Sequence, residues 1–239
     1  MRTLLVLLAV VSAGAAAFAQ TPVADMASEP HHRLLLSNDK VRVFEVILPP
    51  SERYLVRHDH NFLVVTLQDC EMVMWVEGES EILSFRFRQG DARFFYGGPP
   101  RGARNDQTAT YRNITVEFLS DKVTTYGYQP GAGNWQYGGT VVNLPVDPAK
   151  AFHDTLHLGE AAASDVQLLP KDILPAPPKG TFELLIPTSS LDFITQSDLH
   201  VRKSPGEVWA LGTDRKYDLV NADASPARFV LVEITPRQN

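Results

Sequence analysis

The chain repeats itself with an offset of 116 residues, and this repeat constrains the fold more than any other feature of the sequence. Placing the first half on the second without gaps aligns identical or similar residues at comparable points of strands and turns. The five pairs are Gly90 with Gly206, Asp91 with Glu207, Asn105 with Asn221, Arg112 with Arg228, and Glu117 with Glu233. Because chance supplies only about one or two such pairs in one register, the sequence predicts two copies of one domain.

Both copies consist of short segments typical of β-strands. Apolar residues alternate with other residues in Val41 to Leu48, and Pro49-Pro50 ends that segment. Further strands are predicted over residues 34–36, 71–76, 82–87, 92–96 and 109–119 in the first copy, and over 154–158, 166–169, 182–186, 191–195, 199–202, 208–211 and 228–234 in the second. Many short strands separated by turn residues predict an all-β protein, built as antiparallel sandwiches or barrels.

The first residues have the pattern of a secretory signal peptide. A charged start at Arg2 is followed by the apolar run Leu4 to Val11 and by small residues up to Ala19. The run is too short for a membrane span, so we expect cleavage after Ala19 and a secreted or periplasmic protein with no membrane span after cleavage. The alternative for this stretch is a buried N-terminal helix.

Charge and cysteine content exclude several classes of partner and of stabilisation. The net charge is −6, and loss of Arg2 with the signal peptide leaves 21 basic against 28 acidic residues, or −7. Without a basic run, this balance argues against nucleic acid or an anionic membrane as the partner. Cys70 is the only cysteine, so no intrachain disulfide forms, and its strand-like surroundings favour a packed small side chain over a reactive thiol.

The predicted organisation has five parts. Residues 1–19 form the signal peptide, 20–32 a mature N-terminal tail, 33–120 the first barrel, 121–150 a connector and 151–239 the second barrel. His31 and His32 close the tail and are predicted to be solvated. The connector is rich in glycine and aromatic residues between Tyr126 and Gly139. It forms either a lid or homodimer contact, or simple packing between the two domains.

The sharpest chemical feature is Arg57-His58-Asp59-His60, followed by the apolar run Phe62 to Leu67. If this stretch is an extended strand, His58 and His60 point to the same side, roughly 7 Å apart at Cα. Two imidazoles on one side can hold a metal ion or meet one substrate. These two histidines are therefore the first candidates for a functional site.

The strand pattern, the His-x-His motif, the Gly90-Asp91 turn and the Gly/Pro loop ending at Asn105 together resemble the cupin superfamily, and the repeat makes the chain similar to a bicupin. The resemblance covers most of the mature chain. It implies two tandem jelly-roll barrels, with metal ligands from a first motif, two His and a Glu, and one further His from a second motif.

Matched position by position, the chain keeps half of those ligands. His58 and His60 match the two histidines, the glutamate position falls on Val64 or Val65, and the last histidine falls on Arg101. The second motif's proline position is Tyr96, and its closing asparagine is Asn105. In the second copy the position of Arg101 is Tyr217 and no histidine matches, so that copy is predicted to hold no metal.

Three functions follow from these residues. The favoured one is a binding pocket for a small organic acid or anion, formed by His58, His60 and Arg101 with Asn105 and Tyr96. The second is an enzyme with a divalent metal, Mn, Fe, Ni or Zn, on His58 and His60. Arg101 opposes such a metal, by about 4 kcal/mol per unit charge at 4 Å in an effective dielectric near 20. The third is a structural protein that acts through its connector, as a homodimer.

Glu71 or Glu117 would complete the metal site if its strand brought it inward. The sequence does not decide whether the protein is an enzyme.

Overall fold

The computed structural model describes residues 23–79, 82–125, 137–141, 149–196, 198–213 and 215–235. The predicted signal peptide and most of the connector lie outside these ranges. The described residues form β-strands and no helix. The strands are β1 Ala24–Asp25, β2 His32–Ser37, β3 Val41–Leu48, β4 Arg53–Arg57, β5 Phe62–Thr66, β6 Cys70–Val76, β7 Ile82–Phe87, β8 Ala92–Phe95, β9 Arg101–Arg104, β10 Tyr111–Phe118, β11 Tyr137–Val141, β12 Phe152–Leu158, β13 Ala161–Leu168, β14 Ile173–Leu174, β15 Phe182–Pro187, β16 Leu191–Ile194, β17 His200–Lys203, β18 Trp209–Gly212, β19 Leu219–Asn221 and β20 Ala227–Ile234. Within this part of the chain, no helix is long and apolar enough to cross a bilayer.

The strands form two β-sandwiches with the same strand order. In the first, a sheet ordered β1-β4-β9-β6-β7 faces one ordered β11-β8-β5-β10-β3-β2. In the second, the sheets are ordered β14-β19-β16-β17 and β12-β13-β20-β15-β18. Apart from β1 and β11, every strand of the first has its counterpart in the second at the same place in the sheet. The prediction of an all-β, duplicated jelly-roll fold is confirmed.

The structural repeat has more than one offset. Val41–Leu48 corresponds to Ala161–Leu168, 120 residues later, whereas Tyr111–Phe118 corresponds to Ala227–Ile234, 116 residues later. The difference arises in the hairpin between these strands, which has strands of 7 and 6 residues in the first barrel but 4 and 4 in the second. The single register seen in the sequence therefore holds only after this hairpin.

Equivalent asparagines close equivalent turns in the two barrels. The side-chain amide of Asn105 donates to the carbonyls of Leu48 and Ala109, at 2.9 and 2.8 Å. Asn221 donates in the same way to the carbonyls of Leu168 and Ser225, at 3.1 and 3.0 Å. Both side chains are fully buried, so each satisfies backbone carbonyls that water cannot reach. This shared bonding explains why the asparagine recurs in the repeat.

The largest apolar core lies between the barrels. It joins buried side chains of the first barrel, such as Phe94 and Phe118, to buried side chains of the second, such as Phe182 and Leu184. These residues come from the two larger sheets, one from each barrel. The two copies therefore pack sheet against sheet and share one hydrophobic core.

The residues predicted as a solvated N-terminal tail fold onto the first barrel from residue 23 onward. β1 pairs parallel with β4, and Met26 is fully buried in a cluster with Phe44 and Val56. His32 begins β2 and is buried, and His31 is half-buried. The prediction that His31 and His32 are solvated was wrong, because pairing with a strand some thirty residues later is not visible in local sequence.

Candidate functional site

The two histidines of the His-x-His motif lie in a loop and not on a strand. β4 ends at Arg57 and β5 begins at Phe62, so residues 58–61 form the connection between them. The strand geometry predicted for His58 and His60 was therefore wrong. His58 is buried, with 7% of its surface exposed, whereas His60 is half-buried.

Close backbone packing explains the shape of this loop. A Cβ at Gly97 would lie 2.8 Å from the backbone carbon and oxygen of His60, so only glycine permits the approach. The backbone amide of Gly98 also donates to the carbonyl of His58 at 2.9 Å. The Gly/Pro loop after β8 is therefore packed directly against the backbone of the histidine loop.

His58 lines a cavity inside the first barrel. The space that the centre of a water molecule can occupy there is about 30 Å³. The polar lining residues are His32, Tyr54, His58, Arg101, Asn113 and Thr115, and the rest are Phe62, Val64, Met72, Met74, Phe87, Phe95, Gly102, Ala103 and Tyr111. None of the described lining residues is an Asp or a Glu. The cavity is mostly apolar, and its wall contains the cationic side chain of Arg101.

The side chains of His58 and Arg101 both lie next to the aromatic ring of Phe62. The imidazole of His58 stacks on this ring at 3.7 Å between centroids and 11° between planes. The guanidinium carbon of Arg101 lies 5.9 Å from the same centroid, and the residue is only 3% exposed. The sequence placed His58 and Arg101 in one pocket, and both side chains line this cavity. His60 is not among the lining residues.

His58 is a neutral imidazole in this environment. Burial lowers its pKa well below the usual 6.5, and the nearby charges of His32, Arg101 and Arg42 lower it further. Its Nδ1 atom is buried and has no hydrogen-bond partner within the part of the chain that the structure describes. A neutral imidazole with an unused ring nitrogen can accept or donate one hydrogen bond to a bound molecule.

The donor set does not fit the metal of the cupin family. Val64 lines the cavity while Val65 packs in the core between the barrels, so Val64 stands at the family's glutamate position and Arg101 at that of the last histidine. No group of three or more His, Cys, Asp or Glu in the described ranges is arranged to hold a metal ion. Two of the family's ligands are thus an apolar side chain and a cation, and a metal needs three or four donors.

Neither glutamate that could have completed a metal site lies in the cavity. The carboxylate of Glu71 accepts a hydrogen bond from the hydroxyl of Ser84 at 2.8 Å near the surface. Glu117 is buried and accepts from Nε of Arg42 at 2.6 Å. Both carboxylates thus have other partners.

Two further residues predicted for the pocket lie elsewhere. Asn105 is buried in the turn described above, where its amide bonds backbone groups. Tyr96 packs edge-on against Phe94, 5.4 Å between centroids, in the core between the barrels, and its hydroxyl bonds Thr125. Neither residue lines the cavity, and both have structural contacts instead.

Sequence reasoning missed His32, Glu29 and Tyr54. Nδ1 of His32 lies 2.5 Å from Oε2 of the buried Glu29, and its ring meets that of Tyr54 edge-on at 4.9 Å. His32 and Tyr54 both line the cavity. The local signal was weak: β2 begins at His32, two residues before the apolar run Leu34 to Leu36, and Pro30 with the missing periodicity made the segment look like a tail.

Positions that line the cavity of the first barrel carry different side chains in the second. Leu174 stands at the position of Tyr54 and belongs to an apolar cluster with Phe193 and Phe229. Tyr217, at the position of Arg101, packs against the same cluster. This copy also buries an ion pair, in which Nε of Arg215 donates to Oε2 of Glu183 at 2.7 Å.

Solved structures share this architecture at low sequence identity. AerE from Microcystis aeruginosa superposes with a TM-score of 0.60 and 9% identity, covering 87% of this chain and 99% of that one. A cupin 2 conserved barrel domain protein from Leptotrichia buccalis gives 0.59 and 8%, covering 85% and 88%. Oxalate decarboxylase from Lactobacillus farciminis, in a formate complex, gives 0.55 and 13%, covering 84% and 79%.

The chain therefore has the cupin fold, in the two-barrel form of the bicupins, as its resemblance to that superfamily predicted. No sequence profile of a known protein family matches the chain. No curated protein sequence matches it either. At these identities the likeness concerns the fold alone, so function must be argued from the cavity.

Proposed function

We propose that the first barrel binds a small organic acid, as its carboxylate, in the cavity lined by His58 and Arg101, and that it does so without a metal ion. One observation carries this proposal. A buried arginine lines the same cavity as a neutral histidine whose buried Nδ1 has no hydrogen-bond partner among the described residues. The proposal keeps His58 and Arg101 of the pocket expected from sequence, whereas His60, Asn105 and Tyr96 are not part of it.

The chemistry of the two side chains suits a carboxylate. Arginine presents a planar fork that matches the two oxygens of a carboxylate, and such charge-assisted hydrogen bonds are about twice as strong as neutral ones. Nδ1 of His58 supplies a further donor when it carries the proton of the neutral ring.

The size of the cavity limits the acid. A space of about 30 Å³ for the centres of water molecules holds about two waters, so acids of the size of formate or acetate fit directly. A longer chain requires the wall to move. Met72 and Met74 line the cavity, and methionine is the most adaptable apolar side chain. We expect affinity to fall with chain length unless these methionines rearrange.

Calorimetry and thermal denaturation with sodium formate, acetate and pyruvate test the proposal, with sodium chloride at the same ionic strength as the reference. A bound acid raises the melting temperature in proportion to the logarithm of its concentration over its dissociation constant. The Arg101→Met variant should lose this stabilisation. Arg202→Met is the matched control, because Arg202 is 77% exposed in the second barrel and bonds only Asp192 in the described structure.

Two results would overturn the proposal. One is a wild-type protein that none of the three acids stabilises beyond chloride. The other is an Arg101→Met variant that keeps the full effect. Elemental analysis of the purified protein tests the metal-free part: stoichiometric Mn, Fe, Ni or Zn, with stability lost on chelation, would favour the metal-dependent enzyme instead.

We further propose that the protein is exported to the periplasm or secreted, on the strength of the N-terminal pattern alone. Mass spectrometry of the mature protein from a fractionated cell checks this. We expect a chain that begins at Gln20 outside the cytoplasm.

A further inference from the structure

We infer that His32 and Glu29 form a general acid–base pair that acts on the acid bound beside Arg101, so that the first barrel catalyses proton transfer at the carbon next to a carbonyl group. This inference rests on the proposed function, because it requires an acid in the cavity. It assigns His32 as the catalytic residue and Glu29 as its positioning residue.

The first support is the way His32 is held. Its side chain is 1% exposed, and Nδ1 lies 2.5 Å from Oε2 of Glu29. The ring is packed edge-on between Tyr54, at 4.9 Å, and Phe44, at 6.4 Å between centroids. A histidine oriented by a carboxylate on one nitrogen and by aromatic rings on its edges has little freedom to rotate.

The second support is the other ring nitrogen. His32 lines the cavity, and its Nδ1 is taken up by the carboxylate of Glu29. Since Glu29 occupies Nδ1, Nε2 is the nitrogen that can exchange a proton with a bound molecule. A carboxylate on Nδ1 fixes the tautomer and stabilises the imidazolium that forms when Nε2 takes up a proton.

The third support is that Glu29 itself is anchored and charged. Its other oxygen, Oε1, lies 2.6 Å from Nδ1 of His31, whose Nε2 lies 2.6 Å from a carboxylate oxygen of Glu52. Burial alone would raise the pKa of Glu29, but the hydrogen bonds and charges of His32 and His31 outweigh it and lower the pKa. The carboxylate is therefore ionised at neutral pH and held from both sides.

A pair of histidine and carboxylate that only stabilises the fold has no reason to border a cavity. The second barrel contains such a pair on its surface, where Nδ1 of His200 lies 2.8 Å from Oδ1 of Asp192 and the histidine is about half exposed. The pair of Glu29 and His32 differs because it is buried and its histidine borders an internal space that also contains a cation. This placement, and not the pairing itself, indicates chemistry.

The proton transfer balances without an external reagent. In a 2-oxo acid held by Arg101, the bond between hydrogen and the carbon beside the carbonyl breaks, and the proton passes to Nε2 of His32. The electron pair moves into the carbonyl and forms an enolate, which Arg101 stabilises by its charge. The same imidazolium then returns a proton to that carbon. In heavy water, the returned proton is replaced by deuterium.

Pyruvate in deuterium oxide is the probe, because it is the smallest 2-oxo acid with hydrogens on that carbon. Loss of its methyl signal is followed by proton magnetic resonance with the full-length mature protein. The wild type should accelerate exchange over the protein-free solution. His32→Gln should lose about 100-fold or more of that acceleration, while His200→Gln, the surface control, should keep it.

Variants of Glu29 separate positioning from structure. Glu29→Gln keeps the imidazole but removes the charge, so we expect slower exchange and a shifted pH profile, with partial recovery in Glu29→Asp. Acetate binding by calorimetry, which depends on Arg101, shows in each variant that the barrel is folded.

The outcomes are distinct. Acid binding by the wild type without accelerated exchange, or exchange that His32→Gln leaves unchanged while it still binds acetate, would overturn the inference and leave the proposed function standing. Absence of acid binding would overturn both.

Discussion

At the scale of single residues, the cavity depends on Arg101 and His58, which share the ring of Phe62 and are both buried. For a bound carboxylate, Arg101 supplies a positive charge and a planar guanidinium group with two parallel donors, and His58 supplies a neutral ring nitrogen. Two predictions separate these roles.

Arg101→Lys keeps the positive charge but loses the planar fork. An ammonium group makes a point contact with a carboxylate where the guanidinium makes two parallel hydrogen bonds. We expect acetate to bind about tenfold or more weakly, as measured by calorimetry, with its salt dependence unchanged. Equal affinity of the two proteins would show that charge alone holds the anion.

His58 should make the protein less stable in acid. Its pKa is lowered in the folded state, so its contribution to stability is present above the unfolded pKa near 6.5 and is lost as the pH falls toward the folded pKa. The His58→Gln variant lacks this pH-dependent contribution to stability. Urea denaturation at pH 7.5 and 5.5, without added acid, should show a larger loss of stability in the wild type than in the variant. His31, whose pKa is raised, contributes with the opposite sign but equally in both proteins.

At the scale of strands and turns, the two barrels use the same positions with different partners. Glu45 on β3 accepts hydrogen bonds from Arg112 and Arg33, and Asp165 at the matching place on β13 has Arg228 alone among the described cations. Burial raises the pKa of both carboxyls. The two arginines outweigh this effect at Glu45 and lower its pKa, whereas Asp165 keeps a pKa of about 6.

Asp165 should therefore destabilise the fold as the pH rises. With a folded pKa of about 6 against 3.8 in the unfolded chain, its contribution is fully present below 3.8 and is lost as the pH passes through about 6. Asp165→Asn should remove about 1–3 kcal/mol of this pH dependence, at about 1.4 kcal/mol per pKa unit. Unfolding free energies at pH 4.5 and 7.5 check it, and parallel profiles of the two proteins would contradict it.

The two turn asparagines, Asn105 and Asn221, should contribute about equally to the stability of the fold. Asn105→Ala and Asn221→Ala each leave two backbone carbonyls without their donor in a buried turn. We expect a loss of about 2–4 kcal/mol in each case, measured by urea denaturation. Asn38→Ala, in a half-buried hairpin turn where the side chain only accepts from two amides, is the control and should cost about 1 kcal/mol. If Asn105→Ala costs no more stability than Asn38→Ala, the buried amide of Asn105 does not have the stabilising role expected of both turn asparagines.

At the scale of the whole molecule, the shared core should make the two barrels unfold together. Gly206 of the second barrel has a φ of +81°, and a Cβ there would lie 2.6 Å from Leu67 of the first. Gly206→Ala should cost more than Gly212→Ala, which has a φ of +79° and open space around it. We expect the difference to be about 1 kcal/mol.

A double-variant cycle identifies the source of that difference. In a Leu67→Ala background the clash is absent, so the excess cost of Gly206→Ala over Gly212→Ala should disappear. If it persists, the strain lies within the second barrel and not between the two.

The fold was largely predictable from sequence. The strands Val41–Leu48 and Tyr111–Phe118 are rich in apolar residues and end at turn residues, and Asn105 and Asn221 recur because each turn needs the same buried donor. Such signals are local or are copied by duplication. The site was less predictable, because His32, Tyr54 and Arg101 line one cavity from strands far apart in the chain.

The sequence by itself therefore determined the all-β class and the duplication, because side-chain alternation, turn residues and a repeat act within or between short segments of the chain. Only the tertiary structure decided which histidines line the cavity. Gly97 packs against the backbone of the loop that holds His58 and His60, and pairing of β1 with β4 fixes the segment before His32 on the first barrel. Both contacts join residues about thirty or more positions apart, where local pattern carries no information.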